Sequence, residues 1–197
     1  MRALPRLHVY YGPMCSGKTH ELIKRAHLLA PAFAGLQVLK PALDTRGAAQ
    51  AVASRTGLRL PATRCLPSLP APPLAAHTLY VLDEVQFFPA LLPFFAALPR
   101  TSALLAAGLD LDYASRPFGE TLALAAVARS LPAGEGAATA LAARCCAPGC
   151  SSAAALTQRL AAGGEATVVV GGAEFYRPAC AAHHSRSPVD GAGWREE

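Results

Sequence analysis

Gly12-Pro13-Met14-Cys15-Ser16-Gly17-Lys18-Thr19 follows an apolar run, Leu7-His8-Val9-Tyr10-Tyr11, and opens a stretch that reads as a helix from Lys18 to about Ala30. The spacing is G-x-x-x-x-G-K-T. Set between a strand and a helix, it predicts a phosphate-binding loop. Glycine lets the main chain turn tightly and come close to an anion. The loop amides and the helix N-terminus then aim partial positive charge at phosphate oxygens. Lys18 is expected to reach the outer phosphates, and the Thr19 hydroxyl to hold Mg²⁺.

The rest of the chain extends this start into an alternating pattern. Leu36-Gln37-Val38-Leu39-Lys40 reads as a second strand, with Asp44-Thr45-Arg46 in the Gly- and Ala-rich loop after it. Residues 61–77 hold five prolines and predict irregular chain. Thr78 to Leu82 is an apolar run that ends in Asp83-Glu84. Pro89 suits the first turn of a helix carrying Leu91, Leu92, Phe94, Phe95 and Leu98. Ser102 to Leu109 reads as another buried strand closing at Asp110, and Gly119 to Leu131 as a helix. Alternation of strand and helix predicts an α/β fold, a parallel sheet flanked by helices. Ligands in such sheets bind beyond the carboxyl ends of the strands. The phosphate loop, Asp83-Glu84 and Asp110 all fall at such ends.

Composition bounds the class. The 197 residues allow one domain with a small appendage. Charged residues are 16% and apolar residues 52%, enough for a sizeable core, although much of the apolar share is alanine and says less about a core than the figure suggests. No unbroken apolar span approaches membrane length, and the first residues lack a signal-peptide stretch. The expectation is a soluble, cytoplasmic protein with no membrane partner. The net charge of +5, from 18 Lys and Arg against 13 Asp and Glu, is scattered rather than clustered, which argues against a nucleic-acid partner.

After about Ala140 the character changes. Of six cysteines, Cys145, Cys146 and Cys150 crowd together, and Cys180 precedes two histidines. Without an export signal this favours a metal site over disulfides. Cys146-x-x-x-Cys150 and Cys180-x-x-His183 supply four ligands on two short hooks, a set that zinc accepts tetrahedrally, with Cys145 as the alternative to Cys146. The division expected is an ATP-binding domain over 1–140, a zinc-binding unit over 141–184 and a loose tail over 185–197.

Asp83, at the end of a buried strand, stands where a Walker-B aspartate steadies Mg²⁺. Glu84 follows it, and neighbouring strand residues face opposite ways. One carboxylate can serve the metal while the other faces an acceptor as general base. On these residues alone the acceptor is water, in an ATPase, or an alcohol, in a kinase. A non-catalytic zinc-containing nucleotide-binding protein is the third reading.

Several further blocks occur in order: Asp83-Glu84-Val85-Gln86-Phe87-Phe88, Gly108-Leu109-Asp110, Arg116-Pro117-Phe118-Gly119, Thr157-Gln158-Arg159-Leu160 and Gly171-Gly172-Ala173-Glu174-Phe175-Tyr176. With the phosphate loop and the cysteine hooks, the chain resembles the cytosolic-type (type II) thymidine kinases over about residues 7–184. The resemblance implies transfer of the γ-phosphate of ATP to the 5′-hydroxyl of thymidine, with Mg²⁺ and a structural zinc. It implies Glu84 as the general base. The cofactor-binding set it implies is Gly12 to Thr19 with Asp44, Arg46, Asp83 and Gln86, of which Thr19 and Asp83 serve magnesium. Phe87, Leu109, Tyr113 and Phe118 match nucleoside-pocket positions. Thr157, Thr167, Val169, Gly171 and Tyr176 match substrate-facing positions of a lasso between the hooks. Phe88, Phe94 and Phe95 are expected in the core. The family is commonly a homotetramer inhibited by thymidine triphosphate. Cys15 departs from the family's usual phenylalanine, and Val85 replaces a small residue.

Overall fold

The structure is a computed structural model and describes residues 5–44, 51–62, 64–160 and 175–195. Its elements run β1 (Leu7–Tyr11), α1 (Lys18–Leu29), β2 (Gly35–Pro41), β3 (Ala51–Ala53), β4 (Arg59–Pro61), β5 (Arg64–Leu66), β6 (Thr78–Leu82), α2 (Leu91–Ala96), β7 (Ala103–Gly108), α3 (Thr121–Ser130) and β8 (Gly136–Ala140). A second group follows: β9 (Ala143–Arg144), β10 (Ala153–Ala154), β11 (Leu156–Arg159) and β12 (Tyr176–Ala179).

The main sheet has six parallel strands in the order β5-β2-β6-β7-β1-β8. Its central strands, β6 and β7, are buried at every position. Successive side chains face opposite ways. Leu7, Val9, Tyr80, Leu82, Leu104 and Ala106 therefore pack on one side with α2 and α3. Tyr10, Leu79, Val81, Leu105 and Ala107 pack on the other with Leu22, Ile23 and Ala26 of α1. Phe88, Phe94 and Phe95 are core residues, as expected.

The structure departs from the sequence expectations in several places. The helix expected from Pro89 begins at Leu91, after Ala90 in a left-handed conformation, and its Leu92 N–H donates to Glu120 Oε2 at 2.9 Å. The stretch read as irregular contains β5, an edge strand on β2. β3 and β4 form a hairpin in a region read as loop. β8, outside every element expected from the sequence, closes the other sheet edge on β1. Among the described residues no helix is long and apolar enough to cross a membrane.

The chain leaves the main sheet after β8 and enters two small antiparallel ladders, β9–β10 and β11–β12. Residues 185–195 make specific contacts with this group. Val189 bridges Leu160, and Arg195 N–H donates to Cys146 O at 3.0 Å. The guanidinium of Arg195 donates to the carbonyls of both Cys145 and Cys150. Trp194 packs against Cys145, Ala147, Ala154 and Cys180.

His8, in β1, stacks on Tyr10 at 4.2 Å, and its Nε2 lies 2.9 Å from Thr139 Oγ1. Burial, and then the Arg25 guanidinium, pull the His8 imidazole down from 6.5 to about 4. The folded protein thus disfavours a proton that the unfolded chain accepts below pH 6.5. Stability from this site is complete above that pH and is lost as pH falls towards 4. The loss is expected to be about 1–2 kcal/mol, less than the full shift implies because the ring is partly exposed. Denaturant titrations between pH 7 and 4 should show this decline in the native protein and a smaller one in His8→Gln.

Candidate functional site

The carboxyl end of β1 runs into the phosphate loop. Gly12 adopts φ 141°, and a Cβ there would lie 2.1 Å from Leu141 O, so only glycine lets the loop start against the chain leaving β8. Gly17 is left-handed at the head of α1. Ser16 Oγ donates to Pro13 O at 2.9 Å, and Lys18 Nζ folds back over the loop onto Pro13 O. The helix N-terminus and the ammonium thus share one concave surface, the arrangement that holds phosphates.

Asp83 closes β6. Thr19 Oγ1 donates to Asp83 Oδ2 at 3.1 Å, which brings a hydroxyl and a carboxylate together beside the loop. That is the hard oxygen donor set that suits Mg²⁺ beside phosphates. Burial first, and then neighbouring Glu84, push the Asp83 carboxyl up to about 7. Burial pulls the Lys18 ammonium down, opposed by Glu84, Asp83 and Asp110. Asp110 is raised by burial, and its Oδ1 is buried with no hydrogen-bond partner among the described residues. A di-cation and a polyanion suit a site where carboxylates and an ammonium sit together out of water.

Glu84 occupies a left-handed backbone conformation, φ 52° and ψ 45°, ahead of a 3₁₀ turn over Val85–Phe87. Such a conformation is costly for a non-glycine residue and is held by its surroundings. Glu84 lines a cavity of about 520 Å³. The same cavity is lined by Met14, Cys15, Ser16, Gly17, Lys18, Thr19, Asp44 and Leu109. The structure therefore brings the loop, Asp44 and Glu84 together.

Other expected positions lie nearby in the fold. Phe87 and Phe118 meet edge to face at 5.4 Å. Tyr113 lies under the Arg159 guanidinium at 5.2 Å, and Tyr113 O is 2.9 Å from His184 Nε2. Tyr176 pairs with Arg159 across β11–β12. Thr157 reaches furthest: its Oγ1 accepts from Met14 N at 3.1 Å, joining the second unit to the phosphate loop. Arg46, Thr167, Val169 and Gly171 lie outside the described residues.

The metal hooks converge. One ligand atom each from Cys145, Cys150, Cys180 and His183 lies within 4.8 Å of the others. Cys150 Sγ and Cys180 Sγ are 3.9 Å apart, Cys145 Sγ and His183 Nδ1 3.9 Å, and Cys180 Sγ and His183 Nδ1 3.2 Å. A tetrahedral zinc with thiolate bonds of about 2.3 Å has S–S edges of roughly 3.8 Å, so three thiols and an imidazole at this spacing fit zinc. Hydrogen bonds from Ser152, backbone and side chain, hold the Cys150 thiol down at about 6, favouring the thiolate that ligates metal. The expected ligand Cys146 is not in this cluster. Its Sγ faces Arg144 O at 3.7 Å, and Cys145 takes the place. The two thiols are adjacent in sequence, and backbone direction sends only one towards the partners.

Some lining residues were not anticipated. The β3–β4 hairpin carries Ser54, Arg55 and Thr56 to the cavity wall, pinned to α1 by His20 Nδ1 and Thr56 Oγ1 at 2.8 Å. Lys40 pairs with Asp44 at 3.3 Å, both nearly buried. The signal in sequence was Ser54-Arg55-Thr56-Gly57, a turn between segments with one buried apolar residue each, Val52 and Leu60. Gln158 stands in the block Thr157-Gln158-Arg159-Leu160. It is fully buried, donates to Ser187 O at 2.9 Å and accepts from Ser185 N at 2.6 Å, tying β11 to the C-terminal segment.

The chain matches the thymidine kinase family over residues 5–184. It is 40% identical over 139 residues to a thymidine kinase of Deinococcus deserti, an alignment covering 64% of this chain and 69% of that one. It is 36% identical over 128 residues to a thymidine kinase of Pyrobaculum aerophilum, covering 62% and 69%. A thymidine kinase of Mesomycoplasma hyopneumoniae is 32% identical over 130 residues, covering 64% and 71%.

The two candidate thiols separate by metal analysis. Purified protein should carry about one zinc per chain. Cys146→Ser should keep it, and Cys145→Ser should lose it. Retention of full zinc in Cys145→Ser would remove Cys145 from the ligand set.

Proposed function

The chain belongs to the thymidine kinase family, and from that premise we propose how its residues carry out the transfer of the ATP γ-phosphate to the 5′-hydroxyl of thymidine. The observation that carries the reading is one cavity faced by both Lys18 of the phosphate loop and Glu84 at the end of β6. A phosphate cradle and a carboxylate base share it, and the lasso side is tied to the same loop through Thr157.

The protein is an ATP-dependent phosphotransferase. The loop amides and Lys18 hold the β- and γ-phosphates. Thr19 and Asp83 are the residues that would hold Mg²⁺, which neutralises charge on the phosphate oxygens. Asp44, steadied by Lys40, stands at the rim of the same cavity. Glu84 accepts the 5′-hydroxyl proton as the oxygen attacks phosphorus. Leu109, Phe87 and Phe118 form the apolar side of the nucleoside pocket, with Tyr113, Thr157 and Tyr176 on the lasso side. Thr167, Val169, Gly171 and Arg46 complete the contacts by resemblance. The zinc unit is structural: it fixes where β11 lies. Resemblance to the type II enzymes also supports a homotetramer acting in the cytoplasm.

Transfer of radiolabelled phosphate from ATP to a panel of nucleosides tests this directly. Label is expected on thymidine first and on deoxyuridine more weakly. Glu84→Gln should lower kcat by about 10²–10⁴-fold, the usual contribution of a general base, with ATP binding retained. Phosphate release from ATP that thymidine does not stimulate would contradict the reading. Near-normal turnover in Glu84→Gln would remove Glu84 as the base.

A further inference from the structure

Gln86 lies behind the site rather than in it. Its side chain is 5% exposed and spans two backbone segments. At one end, Leu109 N–H donates to Gln86 Oε1 at 3.0 Å. At the other, Gln86 Nε2 donates to Glu84 Oε2 at 2.6 Å. The orientation of the amide is fixed by chemistry: a backbone N–H can be met only by the oxygen, so the NH₂ group must face Glu84. Charge-assisted hydrogen bonds of this kind are short and directional.

The surrounding chain is cut to fit this side chain. A Cβ on Gly108 would stand 2.7 Å from Gln86 Oε1 and 2.7 Å from Val85 Cγ2. A Cβ on Gly119 would stand 2.5 Å from Gln86 O. Two glycines thus leave room for one glutamine. Glu84, meanwhile, sits in a left-handed backbone conformation that needs outside support, and the adjoining turn is closed by Phe87 N–H donating to Glu84 O at 3.1 Å.

We propose that Gln86 is a positioning residue for Glu84: clamped by the Leu109 amide, it holds one carboxylate oxygen by hydrogen bond and leaves the other aimed at the acceptor hydroxyl. This rests on Glu84 as the base. It reassigns Gln86, which the sequence grouped with the nucleotide contacts, to the base. It also links two sides of the site, because the Leu109 amide that orients Gln86 belongs to a residue lining the cavity. The glutamine touches neither substrate in this role.

A double-mutant cycle separates positioning from mere packing. Gln86→Leu and the isosteric Gln86→Glu are each made alone and together with Glu84→Gln, with kcat, both KM values and the unfolding midpoint measured. In the native background each Gln86 variant should lower kcat about ten- to a hundredfold, the range for losing a hydrogen bond to a charged group. KM for ATP should stay within about twofold, since binding determinants are untouched. In the Glu84→Gln background the same substitutions should change kcat less than about twofold, because residues acting as a unit are non-additive. Equal losses in both backgrounds, or no loss in the native one, would overturn the proposal while leaving Glu84 as base. Full activity in Glu84→Gln alone would overturn the base and the proposal together. Should Gln86→Leu fail to fold, Gln86→Glu keeps the shape and the acceptor for Leu109 N–H, and carries the test.

Discussion

A main-chain amide of the phosphate loop ties the two halves of this molecule at the point where chemistry is expected. Met14 N, in the phosphate loop, donates to Thr157 Oγ1 across 143 residues of sequence. Leu141, at the start of the second unit, approaches Gly12 so closely that no Cβ fits between them. These two contacts, with those of Arg159 and His184 to Tyr113, set where the zinc unit stands relative to the phosphate loop. Everything proposed for the acceptor depends on that placement. Phosphoryl transfer is largely a matter of position and charge, with little covalent work for the protein. An anchor that holds β11 on the phosphate loop therefore contributes to rate by geometry.

The anchor is itself built in layers. Three thiols and an imidazole converge at zinc spacing. Around them Arg195 donates to the carbonyls of Cys145 and Cys150, and Trp194 covers the cluster. Gln158 ties the substrate-side strand to the segment at 185–187. The C-terminal stretch thus belongs to the metal unit. Around the phosphate loop the charges are arranged at a cost. Asp83 and Asp110 are pushed up by burial, and Lys18 is pulled down. Each is less comfortable in its charged form than in water, and in the proposed mechanism a metal-bound polyanion would interact with them there in low dielectric.

Much of the catalytic half was legible because its signals are local. An octapeptide with fixed spacing between strand and helix specifies backbone shape, and the strand Thr78–Leu82 is found where its apolar run predicted. The misses share a physical cause, which is weak local signal overridden by tertiary pairing. β8 is Gly-Ala-Ala-Thr-Ala, poor in β-branched residues, and is a strand because β1 offers an unpaired edge. The β3–β4 hairpin has three residues per strand and one buried apolar side chain on each. Prolines hid β5. Cys145 and Cys146 are chemically identical neighbours, so spacing could not choose between them, and only the turn after β9 does. Gln86 looked like part of a motif. Its partners, Glu84 and Leu109 N–H, are brought together only when β6 and β7 lie side by side.

The measurement that bears most directly on the central claim is a crystal structure with thymidine and a non-hydrolysable ATP analogue bound together. The account predicts the 5′-oxygen within about 3.2 Å of a Glu84 carboxylate oxygen, the hydrogen-bond reach required of a base, with Thr157 still on the Met14 amide. A thymidine seated away from Glu84, with strand 156–159 parted from the phosphate loop, would contradict it.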